Sequence, residues 1–176
     1  MAPITQPRDD EQLISRLAEM GLKYPRTTIE EARRVGLPLS FALAFLEKES
    51  SGRDGQGPAF GLNLFGSDPV ANPVKGGFVT EARYAEYLRN RKAGRGMQGV
   101  GPCQLTWYAL QDMADHMGGC DKPRFNMRVG FAQAKALIRR YGKREGARRW
   151  NGSGAAAEHY ADDWLAKQQR WHTRLT

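Results

Sequence analysis

Apolar residues recur along this chain at helical spacing, in blocks closed by glycine. Between Asp9 and Met20, Leu13, Leu17 and Met20 share one helical face and Gly21 supplies the stop. Tyr24-Pro25-Arg26 interrupts the pattern. Thr28-Ile29-Glu30-Glu31 then has the form of a capping box, predicting a helix with Ile29, Ala32 and Val35 inward and Gly36 at its end. The next block, Leu37 to Gly52 (LPLSFALAFLEKESSG), is different. Its apolar residues from Leu39 to Leu46 cover the whole circumference of a helix, which predicts burial on every side. Pro38 suits the first turn of that helix and Gly52 its exit. Just before the exit come Glu47, Lys48 and Glu49, so the helix carries carboxylates from the core to its edge.

Beyond it, Ser51 to Gly77 is a long segment rich in Gly, Pro and Asn, in which Phe60 to Phe65 suits one arm of a small hairpin. Thr80 then caps a helix with Tyr84, Tyr87 and Leu88 on one face. After the Gly-punctuated GRGMQGVGPCQLT, Thr106 is the expected cap of a helix aligning Leu110, Met113, Ala114 and Met117, stopped by Gly118-Gly119. Met127, Phe131, Ala134, Ile138 and Tyr141 form the next inward stripe, closed by Gly142. A short helix ends in Arg148-Arg149-Trp150-Asn151-Gly152. Ser153 opens the last, where Ala157, Tyr160, Trp164 and Trp171 share a face. The fold class expected is mainly α: a helical domain around a buried central helix, with at most a small β-hairpin.

At 176 residues the chain is one domain by length, spanning 1–176, with 1–25 as an N-terminal helix and lead-in and 26–176 as the core. The net charge of +8 changes the picture more, because it calls for a polyanionic partner: nucleic acid, a membrane surface or an anionic cell wall. MAPITQPRDDEQ lacks the basic start and apolar run of a secretory signal. Phe41 to Leu46, the longest apolar run, is far short of the roughly 20 residues of a spanning helix. A soluble protein made in a cytosol is expected, a monomer without membrane insertion. Cys103 and Cys120 have no metal-ligand spacing, and whether they pair is open. No metal and no cofactor is expected.

A carboxyl held partly out of water has its neutral form favoured, as general-acid chemistry near pH 7 requires. Glu49 lies four residues after Phe45 and extends the apolar face, while Glu47 lies four after Leu43. This favours Glu49 only weakly, because the helix is apolar on all sides, and helix-end charges are ordinarily solvated caps. The pair of helices TTIEEARRVGLPLSFALAFLE also has the outline of a helix-turn-helix. A recognition helix must show polar side chains to base edges, and Leu39 to Leu46 offers only Ser40, so nucleic acid is not the expected partner.

Three separated pieces together resemble the lysozyme-like superfamily of goose-type lysozymes and lytic transglycosylases. Glu49-Ser50-Ser51-Gly52 is similar to its Glu-Ser motif. Gly99-Val100-Gly101-Pro102-Cys103-Gln104-Leu105 looks like its Gly-x-x-Gly-Leu-Met-Gln segment, and Ala147-Arg148-Arg149-Trp150-Asn151-Gly152, with Tyr160 downstream, its Ala-x-x-Tyr-Asn-x-Gly and later Tyr. The longer run from Asn63-Leu64-Phe65-Gly66-Ser67-Asp68-Pro69 through GGFVTEARYAEYL and GMQGVGPCQLTWY to RRWNGSG looks like the glycan-cleaving domain of endolysins from phages that infect actinobacteria, from about Gly36 to Leu175.

The resemblance implies an α+β lysozyme-like fold and a muramidase cutting the β-1,4 bond between N-acetylmuramic acid and N-acetylglucosamine. Its partner would be anionic bacterial peptidoglycan, reached after release through a membrane lesion to lyse the host cell. Glu49 takes the place of the general acid. Ser50, Gln104, Asn151 and Tyr160 match substrate-binding positions. Pro102-Cys103 and Trp150 depart from the family's Leu-Met and Tyr. Asp68 corresponds to an acid of goose-type enzymes and is the candidate second carboxylate, although Asp-Pro is also ordinary turn chemistry; Asp54 is a further candidate. Hydrolases use two carboxyls, whereas lytic transglycosylases manage with one Glu and give 1,6-anhydromuramic products, so both outcomes stand. A Cys/His peptidase built on Cys103 with His116, His159 or His172 is the rival enzyme class.

Overall fold

The computed structural model describes residues 7–51, 58–67 and 73–176. Among them eight helices surround one core, with a two-stranded antiparallel sheet at the side. The mainly α fold with a small hairpin is therefore the one the apolar pattern predicts.

Helix α1 (Pro7–Glu19) contributes fully buried Leu17 to that core. Helix α2 (Pro25–Val35) starts three residues before the expected cap. Pro25 takes the first helical position, where its missing N–H is no loss. Thr28 therefore lies inside the helix, fully buried, its hydroxyl donating to Tyr24 O at 2.8 Å. The capping-box acid Glu31 is likewise inside. It is 0 % exposed and accepts hydrogen bonds from Arg124 at 2.9 Å and from Arg128 at 2.7 and 3.0 Å, tying α2 to a later helix. Gly36 ends α2 in the left-handed region as expected.

Helix α3 (Leu39–Glu49) is the buried centre: every residue from Ser40 to Leu46 is buried. It runs from Pro38 at the cap position to Ser50, so it stops short of Gly52, which lies outside the described residues. Strand β1 (Leu64–Phe65) pairs with β2 (Gly77–Phe78), setting Leu64 opposite Phe78 and Phe65 opposite Gly77. Helix α4 (Glu81–Lys92) is capped by Thr80, whose hydroxyl accepts from Arg83 N at 3.3 Å.

Helix α5 (Tyr108–Met117) departs from expectation twice. Thr106 does not cap it: Trp107 holds that position, and the Thr106 hydroxyl donates to Gln104 O. The inward face carries Gln111 and Ala114, while Met113 and Met117 are 49 % and 42 % exposed. Gln111 turns the helix this way. Its amide donates to Gln98 O and Leu105 O, and its oxygen accepts from Tyr87 and Arg91. A fully satisfied buried amide can hold a position that apolar periodicity assigns to methionine.

Helix α6 (Pro123–Tyr141) buries Met127, Phe131 and Ala134 as expected, with Ile138 and Tyr141 half-buried. Helix α7 (Lys143–Asn151) lies close against it at Gly146, where a Cβ would sit 2.7 Å from Ile138 N. Helix α8 (Ala155–Leu175) opens after Gly154 rather than at Ser153 and buries Ala157, Tyr160, Trp164 and Trp171. The core rings around α3 are Phe45, set 6.3 Å from Phe131 and 5.3 Å from Trp164, and Phe41, 6.2 Å from Trp164. Cys103 and Cys120 are free thiols, both buried. No helix among the described residues is long and apolar enough to cross a membrane.

Candidate functional site

The last turn of α3 carries Glu47 and Glu49 away on different sides. Glu47 meets solvent and α8, where Arg170 Nη2 donates to its two oxygens at 2.5 and 2.6 Å and Trp171 Nε1 donates at 2.8 Å. Glu49 turns inward. Its Oε1 accepts the Trp150 indole N–H from α7 at 3.0 Å and the Tyr160 hydroxyl from α8. Both donors are held by packing. Trp150 meets the Phe45 ring edge-on at 4.6 Å, and Tyr160 lies 6.2 Å from Trp164. The close approach of α7 to α6 at Gly146 brings Trp150 within reach.

Burial raises the Glu49 carboxyl to about pH 7, against the hydrogen bonds from Tyr160 and Trp150 and the Lys48 charge, which lower it. Lys48 is partly spent elsewhere: it pairs with Asp163 at 2.6 Å and lies over the Tyr160 ring. Burial, and next the neighbouring Glu49 charge, push the Tyr160 hydroxyl well above its ordinary value, so it stays a donor.

Glu49 opens on a cleft of about 340 Å³ whose opposite wall is the hairpin, with Leu64, Phe78 and the backbone of Gly66 and Gly77. Gln104 closes one end. Its backbone is left-handed (φ 49°), and its amide donates to Leu64 O and Gly101 O, both at 2.9 Å. Gly99 allows this, since a Cβ there would stand 2.6 Å from Gln104 Oε1. Ser50 borders the cleft, but its hydroxyl proton goes to main-chain carbonyls, with Pro102 O at 2.7 Å and Leu46 O at 3.2 Å. It fixes the end of α3 to the 99–105 turn. A second residue holds that turn from below: buried Asn126 accepts from Cys103 N and donates to Val100 O.

Of the candidates, Glu49, Ser50 and Gln104 border one cleft, and Tyr160 bonds the carboxyl from behind. Asn151 is exposed at the end of α7 and is not among the residues lining that cleft. Asp68 and Asp54 lie outside the described residues. Trp150 was legible only as a departure from a tyrosine, yet it supplies one of the two donors to Glu49. Cys103 is 0 % exposed, and burial holds its thiol well above the ordinary range, the reverse of an activated nucleophile. Among the described residues no group of three His, Cys, Asp or Glu side chains could hold a metal ion.

The sequence matches no protein-family model and no curated protein, and no solved structure matches the fold.

Proposed function

We propose that this protein cleaves the β-1,4 bond between N-acetylmuramic acid and N-acetylglucosamine in bacterial peptidoglycan, with Glu49 as general acid. One observation carries the reading: a carboxyl with a pKa raised to about 7 at the edge of a cleft, with two donors on the same oxygen. A carboxylic acid whose Oε1 accepts from an indole and a phenol keeps Oε1 as its carbonyl oxygen. The proton then belongs on Oε2, free to pass to the glycosidic oxygen as the bond breaks. The sugar cation left behind needs a partner. In the muramidase reading that partner is Asp68, next in the chain to Ser67, which lines the cleft. The +8 charge suits an anionic wall, and the sequence resemblance implies a phage endolysin that reaches it after release through a membrane lesion.

A second reading keeps Glu49 as the acid and needs no second carboxylate: a lytic transglycosylase, in which the substrate's acetamido group assists and an anhydro ring closes. Neither rival class finds comparable support. Cys103 is sealed in the core away from any described histidine contact, and α3 has no free face to lay in a DNA groove. Mass spectrometry of digested peptidoglycan tests the proposal. New reducing ends are expected for the hydrolase and 1,6-anhydromuramic ends for the transglycosylase. Peptidoglycan whose glycan strands remain uncut would sink both.

A further inference from the structure

The two carboxylates ending α3 face two different cavities. The one on the Glu47 side has a volume of about 420 Å³ and meets the Glu49 cleft at Ser51, which borders both. Phe60 and Trp171, with ring centroids 5.5 Å apart, form its apolar wall. Glu47 is not an open charge there, because it already accepts from Arg170 Nη2 and Trp171 Nε1. It orients Arg170 instead. A guanidinium carries five donors, and Nη1 and Nε of Arg170 bond no described residue. Arg174, one turn further along α8, lies over the Trp171 ring at 5.3 Å, and its guanidinium also bonds no described acceptor. Arg16 of α1 donates to the Arg174 carbonyl, anchoring this end of α8.

Two guanidiniums with open donors beside an aromatic wall suit a ligand with carboxylates and small apolar groups, since the guanidinium fork matches a carboxylate bidentately. We propose that this cavity binds a short acidic peptide, in the wall polymer the peptide stem attached to the muramic sugar held at the Glu49 cleft. The identification with the stem rests on the glycan-cleaving reading. An extended stem of four or five residues reaches about 13–17 Å, enough to leave the cleft across Ser51.

The N-acetylated tetrapeptide Ac-L-Ala-D-Glu-L-Lys-D-Ala, net −1 because its amino terminus is capped as it is on the muramic sugar, should shift the Trp171 indole N–H resonance when titrated into isotope-labelled protein. Arg174→Ala should weaken that binding about tenfold, the worth of one charge-assisted hydrogen bond. On polymer, the wild type should cleave stem-bearing glycan with a lower KM than glycan stripped of its stems, and Arg174→Ala should lose that preference. A tetrapeptide that leaves the indole resonance unmoved, or an unchanged preference in Arg174→Ala, overturns the proposal. So does a response to a glycerol phosphate oligomer alone. If glycan is never cut but the Arg174-dependent shift is seen, the Glu49 reading falls and the peptide site stands.

Discussion

Glu31 and Glu49 both sit on helices that pack into the same core, and burial disfavours the charged form of each, yet their surroundings settle them in opposite states. Burial is the largest influence on Glu31 and pushes its carboxyl up. The hydrogen bond from Arg128 and the charges of Arg128, Arg34 and Arg124 together outweigh it and hold the group below its ordinary range. Glu49 meets an indole and a phenol, donors without charge, and there burial prevails, raising the group to about 7. Full charges can repay desolvation, and dipoles repay only part of it. The first arrangement clamps α2 to α6. The second leaves an acid that can give up a proton at neutral pH.

The largest effect is expected at Glu49. On the proposed glycan-cleaving function, Glu49→Gln should lose at least about 100-fold in rate, the ordinary scale for a general acid, while Glu47→Gln keeps most of it. The reverse result would assign the acid to Glu47. The same substitution sharpens the contrast in stability. The folded pKa of about 7 lies above the ordinary 4.5, so the folded state keeps a proton that the unfolded chain releases. Wild-type stability should fall as pH rises from about 4.5 to 7, by on the order of 3 kcal/mol, and stay level above. In Glu49→Gln that slope should vanish from pH-dependent denaturation curves, leaving the variant more stable than the wild type at pH 8.

Glu31→Gln should do the opposite. Removing the carboxylate takes the partner from Arg128 and one of two acids from Arg124, which keeps Glu30. Both guanidiniums reach solvent, so the cost is that of lost charge-assisted hydrogen bonds, roughly 1.5–3 kcal/mol. Because the folded pKa is lowered, the wild-type contribution is present above the ordinary value of 4.5 and lost as pH falls through the folded value. Urea titrations at pH 7 and pH 3 should therefore show a gap between wild type and variant that narrows in acid. A loss below about 1 kcal/mol at pH 7 would mean that the arginines find water or other partners as readily.

That contrast also marks what the sequence could show. The all-apolar run of α3 announced its burial and the carboxylates at its end, because composition around a helix is local information. Glu31 read as a capping-box residue, since Arg124 and Arg128, whose hydrogen bonds hold it, stand more than ninety positions away. Spacing favoured Glu49 over Glu47 only weakly, and the contacts across the fold distinguish them: Trp150 of α7 and Tyr160 of α8 meet Glu49, while Arg170 and Trp171 of α8 meet Glu47. The stripe of α5 misled for a related reason: Gln111 answers to carbonyls on another segment, and no periodicity records a hydrogen bond across the fold. Ser50 matched a motif, yet what that hydroxyl does follows from a turn fifty residues away.

The smallest effect probes the donors at Glu49 themselves. Tyr160 and Trp150 both bond Oε1 and both pull the carboxyl down against burial, Tyr160 more than Trp150. Removing a hydrogen bond worth roughly 1 kcal/mol corresponds to about 0.7 pH unit. A general acid must be protonated to act, so activity should fall as pH rises through the Glu49 pKa, and kcat/KM reports that value for the free enzyme. Tyr160→Phe should move this alkaline limb upward, and Trp150→Phe should move it the same way by less. Loss of a merely structural contact would lower the rate at every pH and leave the limb in place. A downward shift would mean that the phenol donates to the neutral acid more strongly than to its anion, and the contrast with Glu31 would then need a cause other than uncharged donors.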